Sequence, residues 1–181
     1  MHDIRKTGVT VKQATVQKFL PFLLTFLIVA ADQLTKALVV RYIPLYQIGA
    51  SYLGGFLRII DVRNEGIAFS IGGNLSQNIR AVFFSAIPIV VLAALLVYYV
   101  RGREITTLQR WAIAGILGGG IGNLLDRLFR PGGVVDFIDV RFFGIFGLRR
   151  WPTFNVADSS VVVCGILLVL SLLLWEWRKH E

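Results

Sequence analysis

Four apolar runs, each about twenty residues long, constrain this chain more than any other feature of its sequence. They fall at about 19–41, 79–100, 107–129 and 156–177. A helix of about 20 residues crosses the ~30 Å hydrocarbon core of a bilayer. Within that core each backbone N–H and C=O has to be satisfied inside its own segment, so a single run of this length spans as a helix. The expected fold class is therefore an all-α integral membrane protein with four transmembrane helices. The whole chain, 1–181, reads as a single membrane domain with extracytoplasmic segments at 42–78 and 130–155. Only 17% of residues are charged, against about 25% in a soluble domain, which supports the same class.

Pro21 suits the first turn of the first helix, and Pro88 is expected to bend the second. Tyr52 to Ile71 mixes β-branched and aromatic residues with glycine breaks, the pattern of a small extracytoplasmic β element. Phe137 to Trp151 reads as an amphipathic stretch lying along the membrane surface. No internal repeat, linker or low-complexity tract interrupts the chain.

The net charge of +8 raises nucleic acid as a partner, but the lysines and arginines sit mostly between the apolar runs. There they meet lipid headgroups, and no basic face remains for RNA or DNA once the spans are removed. Membrane lipids are the expected partner. Apart from Lys36, basic residues divide evenly, nine flanking each side. The first helix breaks the tie: Arg5, Lys6, Lys12 and Lys18 precede it, and Arg41 follows. Both termini are placed in the cytoplasm. The basic start is followed by no small-residue cleavage pattern, so the first run reads as a retained span.

Absences narrow the chemistry. Cys164 is the lone cysteine, and His2 and His180 lie at the extreme ends. A histidine-based triad or a His/Cys metal site has nothing to be built from. No cofactor is expected.

Carboxylates are abundant where they are expensive. Asp32 and Asp126 lie in the outer halves of helices one and three, Asp158 opens helix four, and Asp136 and Asp139 precede it. Alternating helix direction brings all five towards one leaflet, whichever way the protein is inserted. Two carboxylates sharing a desolvated site hold one proton between them, and such a pair hydrolyses peptides without histidine, thiol or metal. Asn123, Asp126 and Arg127 share one helix face, and Asn155 stands where helix four needs a cap. Gly115, Gly118, Gly119, Gly120 and Gly122 read first as packing residues that admit another helix. Asp32 and Lys36, spaced i,i+4, neutralise one another. Asp139 reads as a solvated loop acid. Three competing readings exist: a small transporter with intramembrane acids, a peptidase using Ser159 or Ser160 with Lys36, and a structural protein without chemistry.

Five motifs carry a specific resemblance. Asp32-Gln33-Leu34-Thr35-Lys36 is similar to the D-x-x-x-K of lipoprotein signal peptidases (signal peptidase II), and Asn64-Glu65-Gly66-Ile67-Ala68-Phe69 to their N-x-G-x-A-F. Gly119 to Arg127 resembles G-G-x-x-G-N-x-x-D-R, Val134 to Phe137 resembles V-V-D-F, and Phe154 to Asp158 resembles F-N-x-A-D. The resemblance covers about residues 20–177 in family order. It implies an aspartic endopeptidase of the bacterial plasma membrane with Asp136 and Asp158 as catalytic pair, a choice the residues alone leave open against Asp126 and Asp139. It further implies that Asn64, Asn123, Arg127 and Asn155 line the substrate site, with Asp32, Lys36 and Asp126 as structural support. The implied substrate is a prolipoprotein carrying diacylglyceryl on a cysteine, cut just before that cysteine to release the signal peptide. The Pro131-Gly132-Gly133 insertion affects loop shape only.

Overall fold

The computed structural model describes residues 16–64, 77–102 and 104–179. Four long helices dominate: α1 (Phe22–Tyr42), α2 (Gln77–Arg101), α3 (Thr107–Phe129) and α4 (Val156–Lys179). Each is long and apolar enough to cross a membrane, as the apolar runs require. A short helical stretch precedes Pro21, and α1 proper starts at Phe22. The helix α2 continues through Pro88. Thr106 starts α3 with a capping box, its hydroxyl accepting from the Gln109 N–H while the Gln109 side chain accepts from the Thr106 N–H.

Helix α3 is the centre of the bundle. Its apolar window is 56% buried, against 22, 11 and 17% for α1, α2 and α4. Lipid supplies no hydrophobic drive between helices, so close packing and interhelical hydrogen bonds hold them together. The glycines of α3 do this in three directions. A Cβ on Gly118 would lie 3.1 Å from the Thr25 carbonyl oxygen of α1; one on Gly119 would collide with the Ala157 carbonyl of α4, and one on Gly120 with Leu92 of α2. Thr25 Oγ1 donates to the Ala114 carbonyl (2.7 Å) and Ser160 Oγ to the Gly115 carbonyl (2.9 Å), pinning α1 and α4 to the same helix.

The connections contribute an antiparallel sheet of β1 (Ile48–Tyr52), β2 (Leu57–Asn64) and β3 (Val134–Val140), in that order. The expected β element is thus present, but its third strand comes from the second connection. The Phe137–Trp151 surface stretch is corrected accordingly: Phe137 to Val140 belong to β3, and the following residues form a turn with Phe143 and Phe146 exposed. The remainder of the expected β pattern, through Ile71, lies outside the described residues.

Two contacts place the sheet against the bundle. Val39 of α1 packs with Val135 and Phe137 of β3 and with Val156 at the start of α4. Phe154 then runs beside β3, its carbonyl accepting from the Phe137 and Ile138 N–H groups at 3.0 and 2.8 Å. This short pairing delivers the first turn of α4 to the middle of β3.

Candidate active site

Asn155 is the residue around which the site is built. It caps α4: its side-chain oxygen accepts from the Asp158 N–H (2.9 Å), and its own N–H donates to Asp158 Oδ2 (3.1 Å). That is a reciprocal capping arrangement with Asn and Asp in the roles usually held by Ser/Thr and Glu. The same amide donates to Asp136 Oδ1 (2.8 Å) and to Asn123 Oδ1 (3.0 Å). One residue therefore holds both carboxylates, Asp136 by its side-chain amide and Asp158 by its main-chain N–H. Asn123 reaches from α3 to Asp158 Oδ1 at 2.7 Å. Asn64 donates to Asp136 Oδ2 at 3.1 Å. Val62 pairs with Asp136 across the sheet, and Asn64, two residues further, stands on the same face.

Asp136 is 4% exposed. Burial pushes its carboxyl up to about 6, and the Asp158 charge adds to the rise; the bonds from Asn64 and Asn155 and the Lys36 charge oppose it. Arg127 lies in the field of Asp158, Asp136 and Asp126. Its Nε is buried without a hydrogen-bond partner among the described residues, leaving a donor that none of them takes up.

Behind these acids lies a second group, fully saturated. Lys36, Asp32 and Asp126 are completely buried. The Lys36 ammonium meets Asp32 Oδ2 (2.8 Å), Asp126 Oδ2 (2.9 Å) and Asn123 Oδ1 (2.9 Å), one acceptor per proton. Arg130 pairs with Asp126 Oδ1 at 2.8 Å, so two carboxylates face two cations. Asp32 Oδ1 also accepts from the Ala157 N–H (3.0 Å), and Asp126 Oδ2 from the Val135 N–H (3.2 Å). Each structural acid thereby anchors the backbone one residue before an acid of the other pair.

The structure thus joins eight of the nine candidate residues in one hydrogen-bonded network, with Arg127 beside it. Asn123 and Asn155 both donate and accept inside that network. Asp139 is not part of it. Rather than a solvated loop acid it is buried and paired with Arg150, whose guanidinium also donates to the Gly55 carbonyl at 3.1 Å. Four of the five carboxylates share the network, while Asp139 lies three residues along β3 from Asp136 with its own partner. The serine–lysine alternative loses its geometry: Ser159 Oγ donates to the Asn155 carbonyl (2.9 Å), Ser160 faces Gly115, and Lys36 has no free proton site. Sequence reasoning missed Gln33, which donates to the Gly122 carbonyl (3.0 Å) and to Asp32 and Asp126 (3.2 Å each). It also missed Arg130, although the i,i+4 spacing from Asp126 signals the pair, and the buried Asp61 with its partner Arg63 (3.0 Å). Of the motif begun by Asn64, Glu65 to Phe69 lie outside the described residues.

Residues 24–174 match the family model Signal peptidase (SPase) II. The lipoprotein signal peptidase of Treponema denticola is 49% identical over 163 residues, covering 90% of this chain and 94% of the relative. That of Treponema pallidum is 46% identical over 160 residues, covering 88% and 86%. A bacterial membrane enzyme solved by the in meso method at 2.3 Å superposes with a TM-score of 0.75 at 32% identity, covering 90% of this chain and 92% of that one. A second such structure, at 1.9 Å, gives 0.72 at 33% identity, covering 85% and 92%. With a family match over most of its length and close relatives along nearly all of it, this multi-pass membrane protein belongs to the signal peptidase II family of peptidases.

Proposed function

We propose that this chain removes the signal peptide from diacylglyceryl-modified prolipoproteins, cutting before the lipidated cysteine, with Asp136 and Asp158 activating a water. The observation that carries the reading is the Asn155 bridge: one residue holds carboxylates from two different elements, Asp136 through its side-chain amide and Asp158 through its main-chain N–H, and no cation among the described residues bonds either. Relatives named lipoprotein signal peptidases supply the substrate class.

In this mechanism Asp136 holds the shared proton, because burial raises its carboxyl to about 6. Asp158, receiving N–H donors from Asn123 and Asn155, is the ionised partner. It takes a proton from water as the oxygen attacks the scissile carbonyl, while Asp136 gives its proton to the carbonyl oxygen. The tetrahedral intermediate collapses with cleavage of the C–N bond. Asp158 passes its proton to the leaving amine, and Asp136 recovers its own from the diol. Arg127 and Asn64 face the substrate, Arg127 through its unpartnered Nε. Asn123 and Asn155 line the site by fixing the acids. Asp32, Lys36 and Asp126 support them from behind.

Both termini lie in the cytoplasm of a bacterium and the acids face the extracytoplasmic side of its plasma membrane. Signal peptide and acyl chains then arrive laterally through the bilayer, along the exposed apolar faces of helices such as Leu27, Leu34 and Leu38 of α1. Purified protein incubated with a diacylated prolipoprotein should yield a product whose N-terminal mass begins at the lipidated cysteine. An uncut substrate, or a cut elsewhere, overturns the assignment.

A further inference from the structure

A second polar site lies at the other end of the bundle, between the start of α1 and the start of α3. It is a cavity of about 490 Å³ lined among others by Lys18, Leu20, Pro21, Thr107, Arg110 and Trp111. Two half-buried cations share its wall, and no carboxylate is among the described residues lining it. Among the described residues neither cation is fully used. There Lys18 donates once, to the Val100 carbonyl at 2.7 Å, out of three N–H protons. Arg110 lies over the Tyr99 ring, 5.3 Å from its centroid, bonds the Tyr99 side chain and reaches the Tyr99 carbonyl at 3.4 Å, engaging part of its five N–H groups. Tyr99, fully buried, holds this geometry by donating from its hydroxyl to the Lys18 carbonyl. Thr107 adds the positive end of a helix macrodipole as third contributor.

The cavity has an apolar border as well. Leu20 and Leu108 are about half exposed beside it, and the Trp111 indole combines an apolar body with one N–H donor, the character of a residue at a membrane–water boundary. Its volume suits a headgroup and excludes a whole lipid. We propose that this cavity binds the phosphate of an anionic phospholipid headgroup, with Lys18 and Arg110 as its cationic ligands, Trp111 at the polar–apolar boundary and the acyl chains outside along Leu20 and Leu108. The site is separate from the carboxylate network and does not depend on the proposed cleavage reaction.

The test uses the full chain in detergent, with native mass spectrometry reading retained ligand. Phosphatidylglycerol should be retained about tenfold more tightly than phosphatidylcholine, with Arg110→Gln abolishing about a tenfold share, the scale of one lost charge-assisted contact. Because Arg110 also braces Tyr99, Thr107→Asp provides the control. An acid in the first turn favours the helix, so its thermal midpoint should hold or rise while phosphatidylglycerol retention falls about tenfold. Equal retention of the two lipids overturns the proposal, as does unchanged phosphatidylglycerol retention in both variants. Inorganic phosphate is the third arm: if it binds as tightly as phosphatidylglycerol and displaces it, the site belongs to free phosphate and the lipid source is wrong.

Discussion

Asp32 with Asp126, and Asp136 with Asp158, are chemically the same pair placed in different company on either side of Asn123. The first pair faces Lys36 and Arg130 directly, and its oxygens are filled by cations and backbone N–H groups. Such a group is balanced, and buried charges tolerate little else. Among the described residues the second pair is bonded only by amides, from Asn64, Asn123 and Asn155. An amide orients a carboxylate without cancelling its charge, and burial leaves Asp136 with a raised proton affinity. Within one family of side chains, the counter-ion separates architecture from chemistry.

The largest expected effect breaks the second pair. Asp136→Asn and Asp158→Asn should each lower turnover by roughly four orders of magnitude, with thermal midpoints close to the parent. Normal cleavage by either variant would remove that residue from the catalytic role. The converse variant, Lys36→Met, leaves Asp32 and Asp126 short of a cation. It should destabilise the fold by about 3–5 kcal/mol, read as denaturation in detergent, and a fold as stable as the parent would contradict the counter-ion argument.

The pH profile sharpens the contrast. Asp136 titrates near 6, so the shared proton is present below that value and lost above it. The ratio kcat/KM should decline towards tenfold per pH unit above about 6, as one proton is lost from the free enzyme. The sign for stability is the same. Between an ordinary carboxylate value of about 3.9 and about 6, the folded form binds the extra proton, so this group's contribution grows less favourable as pH rises. A profile flat from 5 to 8 would place the proton elsewhere. The smallest effect belongs to Ser159→Ala and Ser160→Ala. Ser160 loses one bond to a carbonyl of α3, about 0.6 kcal/mol in a membrane helix pair, and Ser159 one to a carbonyl at the start of its own helix; turnover should stay within about twofold, and a loss rivalling the aspartate variants would restore the serine–lysine mechanism.

The helices were legible because apolar length alone specifies a span, and the observed ends fall within a few residues of the expected ones. Strand β3 was not. Val134 to Phe137 are all buried, so the alternation that marks a half-exposed strand is missing, and its partner β2 lies two spans away in sequence. That is also why Asp136 and Asp139 could not be separated from residue type alone: Asp139 is defined by Arg150, which only the turn after β3 brings back to it. The α3 glycines announced close packing but not its direction. Successive residues turn about 100° around a helix, so Gly118, Gly119 and Gly120 each meet a different neighbour.

The two backbone anchors have a consequence for how varied substrates are accommodated. Val135 and Ala157 are held by acids that are themselves locked by one ammonium, so the wall carrying both proposed catalytic acids behaves as a fixed jaw. Fitting cleavage sequences of different bulk then falls to groups outside that lock, such as the end of β2 at Asn64. Variation tolerated there and forbidden beside Lys36 is the pattern this asymmetry imposes on any survey of substitutions.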